Sequence, residues 1–242
     1  MARKPSFRDR AFVVRTHDFG EADRVVVLLT RGHGLVRSVA KGVRKSKSRF
    51  GSRIQPFVDI DVQLYPGANL ATITQADTVA YYGSGIIEDF DRYTAACAIL
   101  ETAEKLSYAD LPDSFLFDAA AEALRQLQAG DHPTLVLDAF ILRATENSGW
   151  GLSLFDCAGC GRSGPHCAFS PPAGGAVCNN CRPAGTMDVD GEVLHTMWLI
   201  QHGHPVAEGD AELVERVHRA TTAHLQWHLE AGVKSLRIME QA

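Results

Sequence analysis

No stretch of the 242 residues approaches the roughly 18 uninterrupted apolar residues that a membrane-spanning helix needs. The charged start Met1-Ala2-Arg3-Lys4-Pro5 has no apolar run behind it, so a secretion signal is not expected and the chain is read as cytoplasmic. No G-x-x-x-x-G-K-[ST] phosphate loop, H-E-x-x-H pair or G-x-S-x-G elbow occurs. Nucleotide hydrolysis at a P-loop, zincin proteolysis and chemistry at an α/β-hydrolase elbow are therefore not expected. Neighbouring acids such as Glu88-Asp89 and Asp188/Asp190 stand where helices start or loops run, and no catalytic constellation emerges. A non-enzymatic protein is expected. Cysteine is scarce too, with six in all, and in a reducing compartment paired cysteines bind metal more often than they form disulfides.

The remaining absence is local. No acid falls between Asp23 and Asp59. Residues 1–53 hold fourteen Lys or Arg against Asp9, Asp18, Glu21 and Asp23, whereas the rest of the chain holds ten cations against 25 acids. The overall charge of −5 therefore conceals a basic module of +10 and an acidic one of −15. A polyanion is drawn to the first and repelled by much of the second, so the two modules are expected to meet different partners. Arg37, Lys41, Arg44, Lys45, Lys47, Arg49 and Arg53 lie within 17 residues, with Phe50 among them. These are the principal candidates for nucleic-acid contact, with Arg15, Arg24 and Arg31 secondary. Phe50 either stacks on a base or anchors the basic segment, and the sequence leaves both open.

With 45% hydrophobic and 22% charged residues the chain has ordinary globular composition and enough apolar material for one large or two modest cores. The first third reads as β structure. Short runs start at Ala11-Phe12-Val13-Val14, span Arg24 to Thr30 and Leu35 to Val39, alternate through Ile60, Val62 and Leu64, and end weakly over Leu70 to Gln75. Five strands in about 75 residues fit a small barrel of the OB type; an SH3-like barrel has the same periodicity. The period then changes. Ala95, Ala96, Ile99, Ala103 and Leu106 share one helical face, and Leu116 to Leu127 form another, stopped by Gly130. A third helix starts near Pro133 and ends before Gly149, and further helical patterns run over about 190–202 and 210–231. The expected class is α+β in two domains. Residues 1–82 form a five-stranded OB-type barrel, and 83–242 an α-helical domain with a Gly/Pro/Cys-rich insertion at about 151–185.

That insertion carries Cys157-Ala158-Gly159-Cys160 and Cys178-Asn179-Asn180-Cys181. Two C-x-x-C knuckles at this spacing supply the tetrahedral thiolates of one Zn2+ ion, and four thiolates close its coordination sphere, so a structural role is expected. Gly161, Gly164, Gly174 and Gly175 give the backbone the freedom such knuckles need. His166 and Cys167 lie between the knuckles and either replace a ligand or sit nearby. Cys97, on an apolar helix face, reads as a small core residue. His224 and His228 have metal-ligand spacing, but with no carboxylate or thiol nearby they read as surface or partner-facing residues.

The order Gly20-Glu21-Ala22-Asp23-Arg24, Thr30, Gly34, Lys41-Gly42-Val43-Arg44-Lys45, Ser48, Phe50-Gly51, Pro56-Phe57 and Tyr65-Pro66-Gly67 resembles the N-terminal signature of RecO, the bacterial recombination mediator and DNA repair family. The C-x-x-C pairs and the closing Val233-Lys234-Ser235-Leu236-Arg237 extend the resemblance along the whole chain. It implies an OB-fold followed by a zinc-bearing helical domain. It further implies binding of single- and double-stranded DNA and annealing of complementary strands. The implied partners are RecR, in many bacteria RecF, and the single-strand DNA-binding protein, to the end of loading RecA. In many members the acidic tail of that binding protein meets a basic pocket of the helical domain, for which Arg125, Arg143, Arg216, Arg219, Lys234 and Arg237 are the contributors here. The competing reading of the residues alone is a zinc-ribbon protein that binds RNA or regulates transcription. Chemistry at a cysteine or a zinc-bound water is more distant.

Overall fold

The computed structural model describes residues 5–206, 210–229 and 232–239; Arg3 and Lys4 of the basic count, and residues 230–231 of the last expected helix, lie outside them. Five strands, β1 (Phe7–Phe19), β2 (Asp23–Thr30), β3 (Gly34–Ala40), β4 (Val58–Tyr65) and β5 (Ala71–Tyr81), close a barrel in the order β1-β2-β3-β5-β4. All neighbours are antiparallel except β3 and β5, whose parallel pairing at Ser38–Ala71 and Val39–Thr72 shuts the barrel. This order makes it an OB-fold and removes the SH3-like alternative.

β1 is twice as long as its apolar run suggested because it serves two neighbours. Its first half pairs with β4 and its second with β2, and the register shifts between Val13 and Arg15 as the strand bends from one to the other. Inward, Ala11, Val13, Val26, Leu28, Ile60, Val62, Leu64 and Ile73 fill the barrel. Outward, Phe12 and Leu29 join the core of the helices that follow. Burial on both faces explains why Val25 to Leu29 is an unbroken apolar run, while β4, half-covered, alternates.

The helices are α1 (Phe90–Leu106), α2 (Ser114–Ala129), α3 (Pro133–Asn147), α4 (Gly191–Gln201), α5 (Ala211–His228) and the short α6 (Lys234–Met239), which the sequence pattern did not announce. Asp89, Asp113, Asp190 and Asp210 cap α1, α2, α4 and α5, each accepting a backbone N–H three residues on. Two of these are the acids already read as helix-start residues. Gly130 ends α2 in the left-handed region at φ 102°. α3 is central: Leu137, Phe140, Ile141 and Ala144 face α1 and α2, while Leu142 faces α4 and α5. Between α3 and α4 the insertion folds around a small sheet of β6 (Ala168–Ser170), β7 (Gly175–Ala176) and β8 (Met187–Asp188), in the order β7-β6-β8.

Barrel and helices meet along a charged and apolar seam. Phe12 packs on Phe117 of α2 with ring centroids 4.9 Å apart. Arg31 holds Asp118 through two hydrogen bonds of 2.9 and 2.7 Å, and Arg15 pairs with Glu104. Gly34 has φ 66°, and a Cβ there would stand 2.3 Å from the Tyr108 carbonyl oxygen, so both conformation and space require glycine.

Candidate nucleic-acid interface and metal centre

The long β3–β4 connection, residues 41–57, carries the basic segment, and three contacts root it. The Gly42 N–H donates to Asp23 Oδ1 at 2.7 Å, and the Arg44 N–H donates to the Ala22 carbonyl at 2.9 Å. These tie the loop to the β1–β2 turn. At its other end Phe50 and Ile54, each 1% exposed, plug into the barrel core. Phe50 is thus an anchor; its ring is closed to a base, and the Arg49 guanidinium covers it at 4.9 Å from the centroid.

The cations divide into four groups. Arg37 on β3 and Lys41, Lys45 and Lys47 in the loop are exposed and have no ion-pair partner among the described residues. Arg49 lies on Phe50, and Arg53 donates to the Arg49 carbonyl at 2.9 Å, so both remain at the surface of the same loop. Arg44 and Arg24 converge on Asp18, at 3.5 and 3.0 Å. Arg15 and Arg31 belong elsewhere: their guanidiniums are engaged with Glu104 and Asp118 at the seam with the helices. Strand periodicity offers no hint of those partners, which lie 89 and 87 residues away. The roles of Asp18 and Asp23 were also missed. Acids flanking a hairpin turn opposite a basic loop are the only signal that would have flagged them.

The four cysteines come together. The Sγ atoms of Cys157, Cys160, Cys178 and Cys181 all lie within 4.8 Å of one another, and Cys160 and Cys178 are 3.9 Å apart. Each knuckle turns on its own backbone: Gly161 N–H donates to the Cys157 carbonyl at 2.8 Å, and Cys181 N–H to the Cys178 carbonyl at 3.0 Å. Gly159 leaves room, since a Cβ there would approach Cys181 Sγ to 3.3 Å. Backbone N–H groups, that of Cys178 first, lower the Cys157 thiol to about 6; the Cys181 thiol, which donates to its sulfur neighbours, Cys160 first, is pushed up to about 12. Four sulfurs this close do not all ionise without a cation between them, so the donor set fits a thiophilic metal ion. His166 stands outside the quartet, its Nε2 2.9 Å from the Arg162 carbonyl, and Cys167 is exposed.

Two expectations change. His224 is not a surface residue: it is 1% exposed, with Nε2 3.0 Å from the Trp150 carbonyl, while His228 stacks on the Trp150 ring at 4.5 Å. The helical-domain cations are dispersed. Arg125 pairs with Glu122, Arg216 with Asp190 and Arg219 with Glu215, and the Arg143 guanidinium lies 5.7 Å from the centre of the Phe115 ring. Arg219 lines a cavity of about 690 Å³, whereas Lys234 lines a different one of about 370 Å³ between barrel and helices. Cys97, half-buried on α1, faces that second cavity, and burial raises its thiol pKa.

An OB-fold with an exposed basic loop, joined to a helical domain with a four-cysteine lobe, defines a class of nucleic-acid-binding proteins. Residues 1–82 match the family described as Recombination protein O N terminal, and residues 87–237 match Recombination protein O C terminal. The chain belongs to the RecO family, whose role is mediation in DNA repair and recombination. No helix among the described residues is long and apolar enough to cross a membrane.

Proposed function

We propose that this protein is a cytoplasmic, non-enzymatic mediator that binds single- and double-stranded DNA through the β3–β4 loop and anneals complementary strands. The observation that carries the reading is the set of exposed cations, Arg37 on β3 and Lys41, Lys45 and Lys47 on a loop rooted at both ends in an OB-fold, all unpaired among the described residues. Annealing needs no covalent step. Neutralising phosphate on two strands lowers their repulsion, and one protein holding both raises their effective concentration. Since these contacts are to phosphate, little sequence preference is expected. Arg49 and Arg53 extend the surface, while Arg15 and Arg31 chiefly brace it against the helices.

The cysteine quartet takes one structural Zn2+, and Cys157, Cys160, Cys178 and Cys181 are its ligands. Such an ion fixes the lobe between α3 and α4 and leaves no open position for a nucleophile. The two parts, 1–82 and 83–242 with the lobe at about 151–185, divide the work. The barrel holds DNA, and the acidic helical part meets RecR, the single-strand DNA-binding protein and, where present, RecF, so that RecA is loaded.

The test is the triple variant Arg44→Glu, Lys45→Glu, Lys47→Glu. All three side chains are exposed, so the fold and melting temperature should survive while oligonucleotide binding and annealing are lost. Normal annealing by the folded triple variant refutes the assignment of this loop.

A further inference from the structure

We propose that Asp18 occupies a phosphate position of the nucleic-acid surface, holding Arg24 and Arg44 in the geometry that a phosphodiester takes over when it displaces the carboxylate. The inference rests on the DNA-binding reading of the β3–β4 loop and goes beyond it by assigning a specific site and a resident competitor.

Asp18, one residue before the end of β1, stands directly across from Arg24, the second residue of β2. Its Oδ1 accepts Arg24 Nε at 3.0 Å, and its Oδ2 lies 3.5 Å from an Arg44 terminal nitrogen. Two guanidiniums from two different segments therefore converge on one pair of anionic oxygens, which is also what a phosphodiester presents. The arrangement is built from outside the carboxylate. The Arg44 backbone is fixed on the Ala22 carbonyl at 2.9 Å, its second terminal nitrogen is 3.5 Å from the Gly20 carbonyl, and Asp23 pins Gly42. Arg44 would thus stay in place after Asp18 left. The Arg24 hydrogen bond, with the Arg44 charge beside it, holds the Asp18 carboxyl below its ordinary range, so the competitor is charged at neutral pH.

The site is open: the Asp18 side chain is 56% exposed, Arg24 36% and Arg44 38%. Exposed ion pairs contribute little to stability, so the carboxylate is readily exchanged. Lys41, Lys45 and Lys47 on the same loop supply charge for the adjoining phosphates. Without an internal competitor, a loop this basic would hold any polyanion indiscriminately; Asp18 raises the threshold where the loop is tied to the β1–β2 turn.

The experiment is a fluorescence-anisotropy titration of a labelled single-stranded oligonucleotide at low salt with the full chain and its variants. Asp18→Asn should tighten binding about fivefold, the effect of removing one unit charge a few ångströms from the contact. Glu21→Gln is the control, because Glu21 lies in the β1–β2 turn three residues on, is exposed, and has no ion pair among the described residues. It removes the same charge and should change binding less than about twofold. In an Arg24→Ala, Arg44→Ala background the gain from Asp18→Asn should vanish. An equal gain from Glu21→Gln, a persisting gain in the double-alanine background, or no gain from Asp18→Asn overturns the proposal. If Asp18→Asn gives no gain while the triple charge reversal abolishes binding, this inference alone fails; if the triple reversal leaves binding intact, the parent reading fails and carries this one with it.

Discussion

Replacing Phe50 by leucine and by alanine separates two roles that an aromatic residue in a basic loop can play. Phe50 is 1% exposed and packs with Ile54, Ala11 and Val26 in the barrel cluster. Removing a fully buried Phe side chain to Ala costs about 3–5 kcal/mol, from the lost transfer energy and the cavity left behind. In a chain of this size each kcal/mol lowers the melting temperature by about 2–4 °C, so Phe50→Ala should lower it by about 10 °C. It should also free the loop, so that trypsin cuts faster after Arg44, Lys45, Lys47 and Arg49. Leucine keeps most of the volume and should cost no more than about 1.5 kcal/mol. The functional contrast follows. Loss of a base-stacking ring would weaken DNA binding by about 1–3 kcal/mol, at least fivefold, in either variant. If Phe50 only anchors the loop, Phe50→Leu should bind a labelled oligonucleotide within about twofold of the parent protein. A Phe50→Leu variant that melts near the parent temperature yet loses tenfold or more in affinity would refute the anchoring argument.

Two further outcomes follow from the site and the helical core. Chelation of the metal, or Cys178→Ser, should abolish stoichiometric zinc by elemental analysis and accelerate hydrogen exchange in residues 153–189, while strands β1–β5 keep their protection; unchanged exchange in the lobe would mean that the quartet holds no structural ion. Burial lowers His224 from 6.5 to about 4. Between these values the unfolded chain binds the proton and the folded chain does not. His224 therefore lends stability above pH 6.5 that is lost as pH falls toward 4, in total up to about 3 kcal/mol. Urea unfolding at several pH values should show this loss in the parent protein and a flatter profile in His224→Gln; identical profiles would contradict it.

The parts of the fold that were legible in the sequence are those where one strong local pattern decides the structure. Ile60, Val62 and Leu64 alternate because β4 has one wet face, and the Leu116–Leu127 stripe with Gly130 behind it marks α2 within a few residues. The cysteine spacing foretold the quartet because two knuckles suffice to build it. What stayed hidden depends on distant partners. α6, at six residues, is too short to show a period and is held by Glu101, which accepts the backbone N–H groups of Lys234 and Ser235 at 2.9 and 3.0 Å. The strands of the cysteine lobe are two or three residues long. Composition placed Arg15 and Arg31 in the basic module, yet their orientation follows from acids on helices some 90 residues away. Phe50 stayed open and His224 was wrongly placed at the surface for the same reason: the side of the surface a residue faces is settled by what packs against it.

The central claim is that the β3–β4 loop binds DNA through phosphate charge. Its most direct test is the salt dependence of single-stranded oligonucleotide binding, compared between the parent protein and the Arg44→Glu, Lys45→Glu, Lys47→Glu variant. For the parent protein, log affinity should fall linearly with log salt, with a slope near −0.7 for each phosphate neutralised. Binding by the variant should be too weak to measure at moderate salt. A parent affinity that is flat in salt, or a variant that keeps the parent slope, would contradict the account.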